Sequence, residues 1–110
     1  MENTTYTKEQ AQVIASETRN QIGVKALFML GAKNLSMSVI NNFGLDCVAF
    51  TFKISGSKIK YIAILYNGAT DLYDIRFVNG RGEIVQYSNS NYSEMLLPEI
   101  EKYTGLRTSL

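Results

Sequence analysis

Residues 46–88 read DCVAFTFKISGSKIKYIAILYNGATDLYDIRFVNGRGEIVQYS, and the periodicity of this stretch decides the fold. From Asp46 the side chains alternate. Val48, Phe50, Phe52 and Ile54 fall on one side of an extended chain, and Cys47, Ala49, Thr51 and Lys53 on the other. Ser55-Gly56-Ser57-Lys58 then turns the chain. Residues 59–66 are apolar on both sides, as expected of a central strand. A second turn, Asn67-Gly68-Ala69-Thr70, leads to a third strand over 72–78. Asn79-Gly80-Arg81-Gly82 predicts a primed hairpin turn, because asparagine and glycine accept positive φ, and residues 83–88 complete a fourth strand.

Outward from this sheet the period changes to that of helices. Thr7 and Gln10 have capping-box spacing, with Tyr6 and Ala11 placed as a hydrophobic staple. Ala11, Ile14, Ala15, Thr18 and Ile22 repeat at helical intervals, so the spacing predicts a helix over 8–22. Gly23 interrupts it. Residues 24–30 read as a second short helix closed at Gly31, which leaves a helical hairpin and one kinked helix both open over 23–31. The following GAKNLSMSVINNFG is loop-like. Leu35, Met37 and Val39 alternate within it, so an edge strand over 35–41 is the other option. After the sheet, Asn91 is placed to cap a helix with Glu94 three residues on, and Leu96, Ile100 and Tyr103 mark its apolar side. Pro98 falls in the first turn, where a missing N–H costs little. The end, EKYTGLRTSL, reads as a clasp: Gly105 ends the helix in left-handed backbone, Leu106 packs back, and Leu110 docks at the core edge.

The expected architecture is therefore one α+β domain over 1–110. Its antiparallel sheet has four to five strands, with an N-terminal helix or helical hairpin and a C-terminal helix on one face. Composition agrees: 45% of the 110 residues are hydrophobic and 19% charged, the balance of a globular chain. With 11 basic and 10 acidic residues the net charge is +1, so no overall field draws the chain to nucleic acid or an anionic membrane. Its apolar runs fall far short of a membrane span, and MENTTYTKEQ lacks the basic and apolar regions of a secretory signal.

The function classes narrow by what is missing. Histidine is absent and Cys47 is the lone cysteine, which excludes Ser–His–Asp and Cys–His catalysis and histidine-ligated or thiolate-built metal sites. No cofactor site is expected. Asp71 and Asp74 are three apart on a strand, hence on opposite faces, and cannot work as a paired acid and base. Asp74 and Arg76 share a face as an expected exposed ion pair, and Asp71 is expected to bond nearby backbone after its turn. GAKN lacks the glycine spacing of a phosphate loop, and Lys33 reads as a partner for the preceding helix C-terminus. Two surfaces remain. Tyr61, Tyr66, Tyr73 and Tyr87, four of seven tyrosines, are the candidate protein interface, since tyrosine supplies contact area at low entropic cost. Lys53, Lys58 and Lys60, near Tyr61 and Tyr66, are the alternative, a nucleic-acid patch. Cys47 reads as a small core residue.

Gly31-Ala32-Lys33-Asn34, the run Asp71-Leu72-Tyr73-Asp74-Ile75-Arg76-Phe77, and residues 92–110 resemble a family of small proteins encoded by bacteriophages and other bacterial mobile elements. The similar segments are a GAKN box, a YD strand, an aromatic-x-x-Met-Leu helix and a closing TGLxTxL. The chain departs at Leu35, where the pattern has an aromatic, and in extra residues over 36–46. The resemblance implies a non-enzymatic accessory protein of the bacterial host cytoplasm, in host takeover or counter-defence. It implies a macromolecular partner, most simply a protein, and no membrane. The sheet face left open by the helices is the expected docking surface, and self-association through it is a further option.

Overall fold

Thr7 starts the first helix in the manner its spacing predicts. Its hydroxyl accepts from the Gln10 N–H at 3.1 Å, and the Gln10 side chain accepts from the Thr7 N–H at 2.9 Å. The computed structural model describes residues 6–42 and 44–108. Helix α1 spans Lys8–Ile22 and α2 spans Val24–Met29. Between them Gly23 sits at φ 92°, a conformation that L side chains avoid, so the two are separate helices. Tyr6 packs against the buried cluster of Ala11, Ala15 and Val48, on the side where the staple is expected. At the end of α2, Gly31 and Ala32 return N–H groups to Phe28 and Leu27, the paired bonds of a Schellman stop.

Five strands follow: β1 Lys33–Asn42, β2 Leu45–Lys53, β3 Ile59–Asn67, β4 Leu72–Asn79 and β5 Ile84–Asn91. All neighbours are antiparallel and the order is β1-β2-β3-β4-β5, a meander. Residues 35–41 thus form an edge strand. Lys33 begins that strand instead of closing α2. A 3₁₀ turn, Ser93–Met95, leads into α3, Leu96–Thr104.

Two expected local details differ. Asn91 does not cap the last helix: it ends β5 and turns its amide inward to Tyr73 O and Ser88 Oγ. Pairing of β5 with β4 places Asn91 opposite Tyr73, and that buried site claims its side chain. The β4–β5 turn is also not primed. Within it only Gly82 takes positive φ, and its N–H bonds Asn79 O, the three-residue hairpin form with glycine in the left-handed position. Pro98 is the third residue of α3, where its lost N–H needs no partner.

One sheet face carries the core. Phe50, Phe52, Ile62, Ile64, Ile75 and Phe77 meet Ile22, Leu27 and Leu30 from the N-terminal helices and Leu96 and Ile100 from α3. Removing either fully buried phenylalanine, Phe52 or Phe77, costs about 3–5 kcal/mol. The C-terminal clasp forms as far as the described residues reach. Gly105 is left-handed at φ 74°, Leu106 packs on the core, and Thr108 is held to Glu101 Oε2 by its N–H and its hydroxyl. The expected docking of Leu110 lies outside the described residues.

Candidate functional site: a divided sheet face

Register pairs line up the residues of the face opposite the helices. One row runs across all five strands as Lys33, Lys53, Tyr61, Val78 and Ile84. The next runs Ser36, Thr51, Ala63, Arg76 and Tyr87, and the third Ser38, Ala49, Leu65 and Asp74. Ile40 and Cys47 pair beyond these. A flat sheet with one bare face would leave all of them exposed.

They are not. Leu65 is 0% exposed, and Cys47 and Ala49 are 2% exposed. The reason is a polar knot drawn from both sheet edges. Asn42, in β1, donates to the Tyr87 hydroxyl of β5 at 2.7 Å. Four inter-strand gaps of about 4.8 Å would hold β1 and β5 about 19 Å apart in a flat sheet, too far for these two side chains. The sheet is therefore curled at this end, in the direction strand twist allows. Tyr87 donates to Asp74 Oδ2 at 2.6 Å, the Ser90 N–H takes Asp74 Oδ1 at 2.8 Å, and Arg76 Nη2 donates to Asn42 Oδ1 at 2.7 Å. Under this lid Cys47, Ala49 and Leu65 form a small second core with Ile40 and Tyr87.

The electrostatics follow. Burial and the bond to Asp74 push the Tyr87 phenol up to about 12. Burial, then the Asp74 carboxylate, push the Cys47 thiol up, away from the reactive thiolate. Arg76 Nε is buried without a hydrogen-bond partner among the described residues. Asp74 and Arg76 share the face as expected, but the exposed ion pair is replaced: each is half-buried and spends its bonds on Tyr87, Ser90 and Asn42.

The four candidate tyrosines are split. Tyr61 and Tyr87 lie on the open face; Tyr66 and Tyr73 lie on the helix face with rings 5.4 Å apart, and Tyr73 is buried in the core. They do not form one surface, because β3 and β4 positions of opposite parity must face opposite ways. Tyr66 donates to Asp71 at 2.6 Å, and that bond, with burial, lifts its phenol to about 12. Asp71 thus serves a side chain where backbone bonding was expected. The Tyr66 end opens on a cleft that Glu17, Asp71 and Glu94 approach, and no three acids among the described residues come close enough to hold a metal ion.

The lysines also disperse. Lys53 is on the open face, exposed Lys58 is in the β2–β3 turn, and half-buried Lys60 lays its Cγ against Gly80. What the open face offers chemically is confined to its uncovered end. Tyr61 is 38% exposed and Ile84 52%, Val78 is half-buried between them, and Lys33 faces Lys53 at the other side of the row. Sequence reasoning missed Asn42 and Ile84. Asn42 lay in an ambiguous loop-like run, while Ile84 joins the row only through the bulge between Phe77 and Val78.

No helix is long and apolar enough to cross a membrane, among the described residues. In comparison with known proteins, the chain matches no family model, no curated sequence and no solved structure.

Proposed function

We propose that this chain is a non-enzymatic accessory protein that binds another protein through the uncovered end of its sheet. The observation that carries the reading is the five-strand row Lys33–Lys53–Tyr61–Val78–Ile84. Apolar side chains rest exposed at one end of it and two like charges oppose each other at the other. Like charges directly across a strand pair destabilise the sheet. A partner segment with a carboxylate beside apolar residues would relieve that repulsion and cover Tyr61 and Ile84. The resemblance to phage-encoded proteins supports a partner in the bacterial cytoplasm and a role in host takeover or counter-defence.

The test compares proteins retained from bacterial lysate by the native chain, by Tyr61→Glu/Ile84→Glu, and by Val13→Glu on exposed α1 surface. The reading expects a protein retained by the native chain and the Val13 variant and lost from the double variant. Identical retention by all three would contradict it. So would retention of nucleic acid alone that fades as salt rises, the signature of phosphate contacts through Lys53, Lys58 and Lys60.

A further inference from the structure

We propose that β1 pairs antiparallel with β1 of a second copy of this chain, about a two-fold axis at Ser38, joining two sheets into one. The two sheet edges are not alike. β5 is guarded: its pairing with β4 is broken by two register shifts, Ser90 sits at φ 59°, and Ser88 is tied to Glu99 of α3. β1 has one irregularity, at its start between Lys33 and Ser36, where Asn34 sits at φ 56°, and then pairs regularly with β2 from Ser36 through Asn42. Short of Asn42, whose side chain reaches across to β5, its outer edge from Ser36 to Asn41 has no neighbouring strand among the described residues.

Soluble proteins protect such edges with charge, proline, bulges or cover. Residues 34–42, NLSMSVINN, hold no charge and no proline. An uncharged edge is poorly specified for an unlike partner but well suited to its own copy, since self-pairing opposes no like charges. Antiparallel pairing about Ser38 sets Met37 against Val39 of the second copy and Ser36 against Ile40. Met37 and Val39 pack on Ala11, Ala15 and Val48 and are still only half-buried, because nothing lies beyond the edge to finish covering them. The second copy would supply that cover on both sides of the axis. A two-fold contact is also self-limiting: it consumes both β1 edges and leaves only the guarded β5 edges outside.

The edge from Ser36 onward is separate from Tyr61 and Ile84, so the two readings fail separately. The mass of the full chain in solution by light scattering should be twice 12.3 kDa for the native protein and for Tyr61→Glu/Ile84→Glu. Ser38→Lys, which sets two ammonium groups against each other at the axis, should return 12.3 kDa with an unchanged circular dichroism spectrum. Ser38→Cys in a Cys47→Ala background should oxidise to a covalent dimer, since residues facing each other across a two-fold strand pair lie within disulfide reach. A native chain that stays at single mass at every concentration would overturn the proposal. So would a dimer that survives Ser38→Lys, one lost instead on substituting Tyr61 and Ile84, or a Ser38→Cys chain that forms no disulfide.

Discussion

Replacing Asn42 with alanine removes a side chain that ties the two edges of the sheet together. Asn42 is 6% exposed and makes two bonds of 2.7 Å, one to a neutral phenol and one from a guanidinium. A neutral bond contributes about 0.5–1.5 kcal/mol net and one to a charged group about 1.5–3. In the variant Arg76 Nη2 would lose this acceptor beside an Nε that is already buried without a partner among the described residues, so the charged bond should count near its full value. The expected loss is roughly 2–4 kcal/mol, which for a domain of this size lowers Tm by on the order of 10–20 °C. Urea denaturation of the native chain, Asn42→Ala, Tyr87→Phe and the double variant closes a cycle. The two positions are bonded, so their coupling should fall within about 0.5–3 kcal/mol. A loss below about 0.5 kcal/mol for Asn42→Ala, the size of an ordinary surface change, would refute the knot. So would simple additivity with Tyr87→Phe.

Three further outcomes follow from the same geometry. Tyr66 and Tyr87 hold phenols at about 12 in the folded chain, against about 10 when unfolded. Their contribution to stability is whole below about pH 10 and is lost as pH rises toward about 12. Denaturant midpoints should fall across that window, and Tyr66→Phe/Tyr87→Phe should flatten the fall; an equal slope in both proteins would count against it. Thr108 lowers the Glu101 carboxyl through two hydrogen bonds. The clasp is therefore complete above the ordinary glutamate range and loosens as pH falls through the lowered value. The Thr108 amide resonance should titrate below the range of an unconstrained glutamate, and an ordinary midpoint would contradict the bond. Gly31→Ala places a Cβ on a residue at φ 67°, 2.7 Å from Ser55 Oγ. The left-handed penalty alone is about 1–2 kcal/mol, and a variant as stable as the native chain in urea would show that α2 need not stop there.

How much was legible in the sequence depended on range. The capping box at Thr7, the glycine stops and the helix-facing row Val48, Phe50, Phe52 and Ile54 are set by neighbours a few residues apart, and simple periodicity recovers them. The strand over 35–41 was ambiguous because serines and asparagines alternate with its apolar residues, a pattern shared by loops and edge strands. The open face was legible in outline but not in extent. Alternation says that Cys47 and Ala49 share a side. It cannot say that Asn42 and Tyr87, 45 residues apart, meet over them, because that contact depends on how far five twisted strands curl. The same limit applies to the tyrosines: their number suggested one interface, whereas strand parity sends Tyr66 and Tyr73 into the helix side and Tyr61 and Tyr87 to the other.

Cys47 provides the most direct probe of the divided face, since it lies on the side away from the helices yet only 2% exposed beneath Asn42 and Tyr87. Under native conditions a neutral disulfide reagent should modify it only as fast as the protein opens, orders of magnitude more slowly than in denaturant, with Asn42→Ala faster. Immediate and complete reaction of the native thiol would mean that this end of the sheet is bare, and that the lid of Asn42, Asp74, Arg76 and Tyr87 does not form.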